Sequence, residues 1–320
     1  MRRLAWLASL ALVPLVAATS VAAQPYPSRP IQVIVPFSAG QSTDVIARAF
    51  VLGLAAELGQ PVTVNNIPGA SGILAFNAAA HAEPDGYTLV IAPQGQLTIQ
   101  PHLKKTLAYK FETFKPICQL FENVFPIIVK RDSPIRTFKD LVERARAKPG
   151  SMTWATSGIA TVSDLQMSDL IQKLGLKLVH VTYRSYGQMI QDVIGGTLDF
   201  AVPSLGSFAP DTVHMVVLLA DKRLPDYPDL PTITEFGYSI SLPGFGGLYA
   251  PAAAPHEVQA KLAAVCPKIF ASAAFQQVMK NGGQTPAYLP GDAFAKRLAQ
   301  DSEQKAALIK AIGLDRKPPQ

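Results

Sequence analysis

The sequence predicts an α/β fold of two lobes, each a mainly parallel sheet flanked by helices, with a helical C-terminal tail. Three observations predict it. β-Branched runs alternate with helix-forming stretches from Ile31 to Ile91. The same rhythm resumes between Phe125 and Ala220. From Pro255 onward the pattern is mostly helical. Strands separated by helix-length crossovers pair in parallel, so the alternation points to crossover units and not to hairpins.

The elements follow in order. Gln24 to Pro30 carries prolines at 25, 27 and 30 and reads as an extended lead. Ile31–Val35 is a β-branched strand that Pro36 ends. Ser42 or Thr43 caps a helix from Asp44 to Leu58, and Gly59 stops it. Val62–Val64 is a second strand, Gly69–Ala80 a turn followed by an alanine-rich helix, and Tyr87–Ile91 a third strand. Further on, Phe125–Lys130 is extended, and Thr137 caps a helix that Pro149-Gly150 stops. Met152–Ala155, Leu178–Val181, Leu198–Val202 and Met215–Ala220 read as strands. Helices fall at Ser163–Leu174 and Gln188–Ile194. Gly246–Ala250 is a short extended piece before the tail. It and Phe125–Lys130 read as paired crossovers between the lobes. Residues 24–124 and 246–320 then form lobe one, and 125–245 form lobe two.

With 48% apolar and 16% charged residues, the chain has a globular composition. Lys and Arg number 29 against 23 Asp and Glu, but Arg2 and Arg3 sit at the extreme N-terminus. No basic run exceeds two residues, and no basic stripe argues for nucleic acid. Residues 1–23 read as an export signal. Arg2 and Arg3 begin it, Leu4–Val16 is its apolar core, and Val21-Ala22-Ala23 places small residues before cleavage at Gln24. An uncleaved anchor is the alternative; the short core and the small-residue site favour cleavage. Oxidising surroundings let Cys118 and Cys266 pair, while their isolation fits two buried thiols, the slightly favoured reading. The five histidines form no metal-ligand motif, so neither a metal nor another cofactor is expected.

Three loops stand out. Val35-Pro-Phe-Ser-Ala-Gly-Gln-Ser-Thr-Asp44 joins a strand end to a helix start, where free N–H groups and the helix dipole favour an anion. Taken alone, it also reads as an ordinary βα turn. Trp154-Ala-Thr-Ser-Gly-Ile-Ala-Thr-Val-Ser-Asp164 repeats the arrangement in the second stretch, with hydroxyls at Thr156, Ser157, Thr161 and Ser163. Val181-Thr-Tyr-Arg-Ser-Tyr-Gly187 offers Tyr183 or Tyr186 to a cleft and Arg184 to a carboxylate, or else a core tyrosine and a solvated arginine. Catalytic signatures are missing. There is no GxSxG elbow and no GxxxxGK[ST] loop, and Gly244-Phe-Gly-Gly247 opens a strand, not a helix.

These landmarks, in order, resemble the extracytoplasmic solute receptors of the tripartite tricarboxylate transporter family, the Bug receptors. The likeness runs from Tyr26-Pro-Ser-Arg-Pro-Ile31 through Pro68-Gly-Ala-Ser-Gly72, Pro84-Asp-Gly-Tyr-Thr-Leu89, Lys148-Pro-Gly150 and Leu230-Pro-Thr232 to Tyr249-Ala-Pro251. It implies a two-lobed, type II-like periplasmic-binding-protein fold, periplasmic location, no catalysis, and a small organic acid closed between the lobes. Position by position, it implies lobe-one contacts at Phe37, Ser38, Ala39, Gly40, Thr43 and Asp44, with Gln94, Gly95 and Gln96. Lobe-two contacts fall at Thr156, Ser157, Gly158, Thr161, Ser163, Asp164, Tyr183 and Ser204. The chain departs from the family pattern at Gln41 and Ser42, where glycines are usual, and at Asp164, where a histidine is common. A cleft-facing Asp164 favours a ligand bearing an amine. A capping Asp164, the slightly favoured reading, says nothing of the ligand.

The implied partners are the large and small membrane subunits of a transporter, with a membrane sensor kinase as the alternative, and the receptor is expected to be a monomer. A secreted α/β hydrolase is disfavoured for want of a nucleophile–base pair.

Overall fold

The computed structural model describes residues 25–183, 185–239 and 243–316. The export-signal reading of residues 1–23 and the carboxylate-pairing reading of Arg184 fall outside the described residues.

The chain begins with β1 (Ile31–Val35), α1 (Ser42–Leu58), β2 (Val62–Asn66), α2 (Ile73–Ala80) and β3 (Thr88–Pro93). Two short helices follow, α3 (Gly95–Thr98) and α4 (Gln100–Leu103), and then β4 (Phe114–Asn123). The middle of the chain holds β5 (Phe125–Lys130), α5 (Phe138–Ala147), β6 (Thr153–Thr156) and α6 (Val162–Leu174). It continues with β7 (Val179–Thr182), α7 (Tyr186–Gly195), β8 (Phe200–Ala201) and β9 (Val213–Leu219). The last part is β10 (Gly244–Pro251), α8 (His256–Ala271), α9 (Ala273–Asn281), β11 (Thr285–Pro290) and α10 (Gly291–Ala311). No single described helix is long and apolar enough to cross a membrane.

The strands form two sheets, in the orders β11-β4-β10-β3-β1-β2 and β7-β6-β8-β5-β9. Both are mixed. β1 pairs in parallel with β2 and β3, and β6 with β7 and β8, as the crossover rhythm predicts. The remaining pairs are antiparallel. Each sheet is covered on both faces. One core packs α1, α8 and α9 against the first sheet, and another packs α2 and α10 against its opposite face. The second sheet lies between α5 and α6 on one side and α7 on the other.

Two details correct the sequence reading. β4 falls in a gap where no element was expected, because Lys115, Pro116 and Gln119 break its apolar pattern. β11 lies within the tail that reads as helical. It carries Pro286 and Pro290 on a sheet edge, where a missing N–H costs no ladder bond. The two extended pieces read as crossovers, β5 and β10, lie one in each sheet, and β10 is wedged between β3 and β4. Glycine is required in that wedge. A Cβ on Gly247 would collide with the Cys118 carbonyl oxygen, and one on Gly246 with that of Ala92.

Cys118 and Cys266 form a disulfide, which corrects the favoured reading of two thiols. The bond ties β4 to α8 across the lobe-one core, and both residues are fully buried.

The tail does more than complete lobe one. Near its end, α10 packs Ile309 into the core of lobe two. In the middle of that helix, Lys305 lies 3.6 Å from Asp301 with both side chains fully buried. Asp301 also accepts a 2.7 Å hydrogen bond from the Thr98 hydroxyl. Burial pushes the Asp301 carboxyl up and the Lys305 ammonium down, and each opposes the other's shift. Removing one partner of a buried pair strands the other charge, which costs about 3–5 kcal/mol. Lys305→Met is therefore expected to lower unfolding stability by about that amount in urea titrations.

Candidate functional site

Two βα turns meet at the carboxyl edges of the sheets, where helix N-termini present N–H groups lacking intrahelical acceptors. One turn joins β1 to α1, the other β6 to α6. Each is pinned by an aspartate in the first turn of the helix. Asp44 Oδ2 accepts the Gly40 N–H at 2.8 Å, and Asp164 Oδ2 accepts the Ala160 N–H at 2.7 Å. Both anchored residues have positive φ, 81° at Gly40 and 57° at Ala160. The second is costly for a residue with a Cβ, so the Asp164 bond stabilises a strained turn.

Behind the first turn, Asp44 also accepts from Arg48 Nε and Asn66 Nδ2, each at 2.8 Å. Asn66 Nδ2 in turn donates to the Phe37 carbonyl at 2.9 Å. Burial alone would raise the Asp44 pKa. The bonds from Arg48, Gly40 and Asn66 outweigh it and hold the carboxyl below its ordinary value. Behind the second turn, Asp164 Oδ1 lies 3.5 Å from His180 Nε2. The His180 ring stacks on Trp154 with centroids 4.0 Å apart. The same Nε2 lies 3.2 Å from Thr156 Oγ1, and Thr156 donates to the Gly158 carbonyl at 3.2 Å.

Between the turns lies a cavity of about 40 Å³. A buried water needs ~10–15 Å³, so a few water-sized groups fit. Of the residues singled out in the sequence, Phe37, Thr43, Gly95, Gln96, Ser157, Thr161, Ser163 and Ser204 line it. The others are placed differently. Ser38 is half-buried, Ala39 and Gly40 are exposed, and all three lie on the outer part of the first turn. Asp44 is spent on pinning that turn. Gln94 cross-links strands, accepting the Phe245 N–H at 2.9 Å. Gly158 shapes the second turn at φ 149°. Thr156 and Asp164 sit in the cluster behind it. Asp164 does not reach that cavity; with His180 it lines a neighbouring cleft to which Ser71 and Gln100 of the other lobe also contribute. Nor does it cap α6: that role belongs to Thr161, whose side chain accepts the Asp164 N–H. Tyr183 donates to Asp192 at 2.5 Å and is pushed up to about 12, by burial first and by that bond.

The cavity also takes residues not assigned to it from sequence: Gln41, Ser42, Ser71, Pro93, Gln100, Asn123, Phe125, Ala160, Val162 and Tyr186. Gln41 and Ser42 stand out as departures from the glycine pattern, and Tyr186 was the alternative to Tyr183. Asn123 and Phe125 flank the chain's passage from one sheet to the other. No charged side chain among the described residues lines the cavity. α1 has no side-chain cap at Gln41, so the N–H groups of its first turn remain open to a ligand. On one flank, the lobes are joined by Ser71 Oγ donating to the Ile159 carbonyl at 2.9 Å and Gln100 Nε2 donating to that of Ala160 at 3.2 Å.

Two α/β lobes enclosing an uncharged cavity at two helix N-termini define a two-lobed solute-binding protein. Residues 46–314 match the model of the tripartite tricarboxylate transporter family receptor. A UPF0065 protein of Bordetella pertussis is 32% identical over 314 residues, covering 96% of each chain. Among solved structures, the periplasmic binding protein BugD superposes with a TM-score of 0.83 at 30% identity, over 90% of this chain and 99% of that one. MatC from Rhodopseudomonas palustris with bound malate gives 0.79 at 25% identity, over 89% and 100%. The chain belongs to the tripartite tricarboxylate transporter receptor family.

The pinned turn has a pH signature. Because its folded pKa is depressed, Asp44 contributes stability that is complete above the unfolded carboxyl value of ~3.9 and is lost as pH falls through the lower folded value. Asp44→Asn is expected to cost about 1–3 kcal/mol at neutral pH. It is also expected to flatten the acid limb of stability against pH, measured as urea midpoints between about pH 5 and pH 2.

Proposed function

We propose that this protein is a periplasmic receptor that captures a small organic acid between its lobes and delivers it to the membrane subunits of a tripartite tricarboxylate-type transporter. The observation that carries the reading is an uncharged cavity, with hydroxyl and amide side chains in a largely apolar lining, set between the N-termini of α1 and α6. A carboxylate there accepts from open N–H groups and hydroxyls and meets the favourable end of both helix dipoles. Ordered water can complete its shell where no arginine or lysine reaches. The malate in MatC supports the acid class. Phe37, Phe125 and Tyr186 give the remaining wall an aromatic, apolar body for the ligand's carbon skeleton.

Binding then acts through closure. A ligand touching both lobes stabilises the closed arrangement by its differential affinity for it, and the membrane partner reads that arrangement. The protein performs no chemistry on the ligand in this reading; turnover of a bound acid would overturn it.

The test is thermal unfolding of ligand-stripped protein against malate, succinate, citrate, glutamate, nicotinate and terephthalate. A true ligand at ~100 times its Kd adds about 2.7 kcal/mol and gives a saturable rise in Tm. A flat response across the panel would count against the acid class. With a ligand in hand, Thr43→Val is expected to weaken binding by about 1.5–3 kcal/mol, the worth of a hydrogen bond to a charged group. Thr156→Val is expected to leave affinity nearly unchanged, because its hydroxyl serves His180 and Gly158. Calorimetric titration distinguishes the two.

A further inference from the structure

Gln284 lies outside the cavity, on the segment between α9 and β11, yet it touches both lobes. Its backbone N–H donates to the Met279 carbonyl at 2.8 Å, which fixes it at the end of α9. Its side chain is buried, with 8% exposure. Nε2 donates to the Gly282 carbonyl at 2.9 Å and, across the lobe boundary, to the Gly206 carbonyl at 3.2 Å. Two donations from the nitrogen settle which end of the amide is oxygen. Oε1 is then the acceptor, and it takes the Ser42 hydroxyl proton at 2.5 Å.

We propose that Gln284 is a positioning residue for the binding site, latching lobe two shut through Gly206 while orienting the Ser42 hydroxyl. The proposal deepens the receptor reading and rests on it for its functional meaning. Three observations support it. The bonds run from a cavity-lining residue of lobe one, through the tail, to lobe two. The fit at Gly206 is close: a Cβ there would collide with Gln284 Nε2. Finally, the Ser71 and Gln100 bonds join the lobes through the turn at Ile159 and Ala160, so the Gln284 bond ties them at a second, separate place.

The latch has a chemical consequence for Ser42. A hydroxyl carries one proton, and here Gln284 holds it. Ser42 Oγ therefore has only lone pairs left to offer. It accepts from a donor, such as a ligand hydroxyl or a water, and does not donate to a carboxylate. Thr43 keeps the opposite character available, so neighbouring residues of one turn serve different ends of a ligand.

The experiment measures lobe separation without any ligand. Nitroxide labels at Leu52→Cys on α1 and Lys139→Cys on α5, both exposed, report the distance between lobes by pulsed electron resonance. Cys118 and Cys266 are disulfide-bonded and take no label. Three variants separate the bonds. Gln284→Met keeps the bulk and loses all three side-chain bonds, to Ser42, Gly206 and Gly282. Gln284→Glu can accept from Ser42 but, ionised, cannot donate to Gly206. Ser42→Ala loses the hydroxyl and leaves the Gly206 bond.

The expected result is a wild-type population at the separation seen here. Gln284→Met and Gln284→Glu should lower its ratio to open forms by about two- to tenfold, the worth of one hydrogen bond. Ser42→Ala should stay near wild type, an ordering that a merely structural role for Gln284 would not produce. A wild type with no such population would overturn the latch, and so would Gln284→Met and Gln284→Glu distributions that match wild type. The distances need no ligand, so a failed ligand panel refutes the acid-receptor reading alone, and unchanged distances refute the latch alone.

Discussion

A carboxylate reaching back four residues to a backbone N–H holds each wall of the cleft. Without it, the turns before α1 and α6 would be free to fold over the helix ends and satisfy those N–H groups themselves. The device has an electrostatic cost, since each aspartate places a negative charge where an anion would bind. What cancels that charge decides how each wall behaves. Arg48 lies 2.8 Å from Asp44 and is always protonated, so the first wall keeps the full attraction of its helix end. On the second wall, His180 lies 3.5 Å from Asp164.

The lobes are also coupled at a distance from the cleft. α10 starts on the first sheet and ends in the core of the second lobe. Its buried Asp301–Lys305 pair sits between these two attachments, with Thr98 of α3 as a polar contact. α3 itself carries the cavity residues Gly95 and Gln96. A buried ion pair tolerates little change in geometry, because desolvated charges gain no help from water. The pair thus links the helix that ends in lobe two to the helix that shapes one side of the site.

Much of this was legible in the sequence, and the exceptions have physical causes. Crossover units announce themselves by period, so β1 to β3 and β6 to β8 were readable, and so was the helix start at Thr137. β4 and β11 were not, because prolines within edge or bulged strands imitate loops. In the site, the two turns were visible as strand–hydroxyl–helix junctions. Which hydroxyls face the cavity was not, since that depends on neighbours distant in the chain. Thr156 is claimed by His180, twenty-four residues on, and Tyr183 by Asp192. Ser71 and Gln100 reach the cavity only because lobe two comes to meet them. Ser71 had a local signal in its Pro68-Gly-Ala-Ser-Gly72 turn; Asn123 and Gln100 had none.

The disulfide has a topological consequence. Cys118 lies just before the chain leaves for lobe two, and Cys266 lies just after it returns. The strands β5 to β9 all fall inside the covalent ring they close. The first sheet, by contrast, takes strands from both ends of the chain and cannot be complete until β10 and β11 arrive. A chain that emerges N-terminus first therefore completes the strand set of its second lobe while the first sheet still lacks β10 and β11. Closing the ring seals the order: the late-arriving tail is stapled to a strand made early, with a whole lobe held in the loop between them.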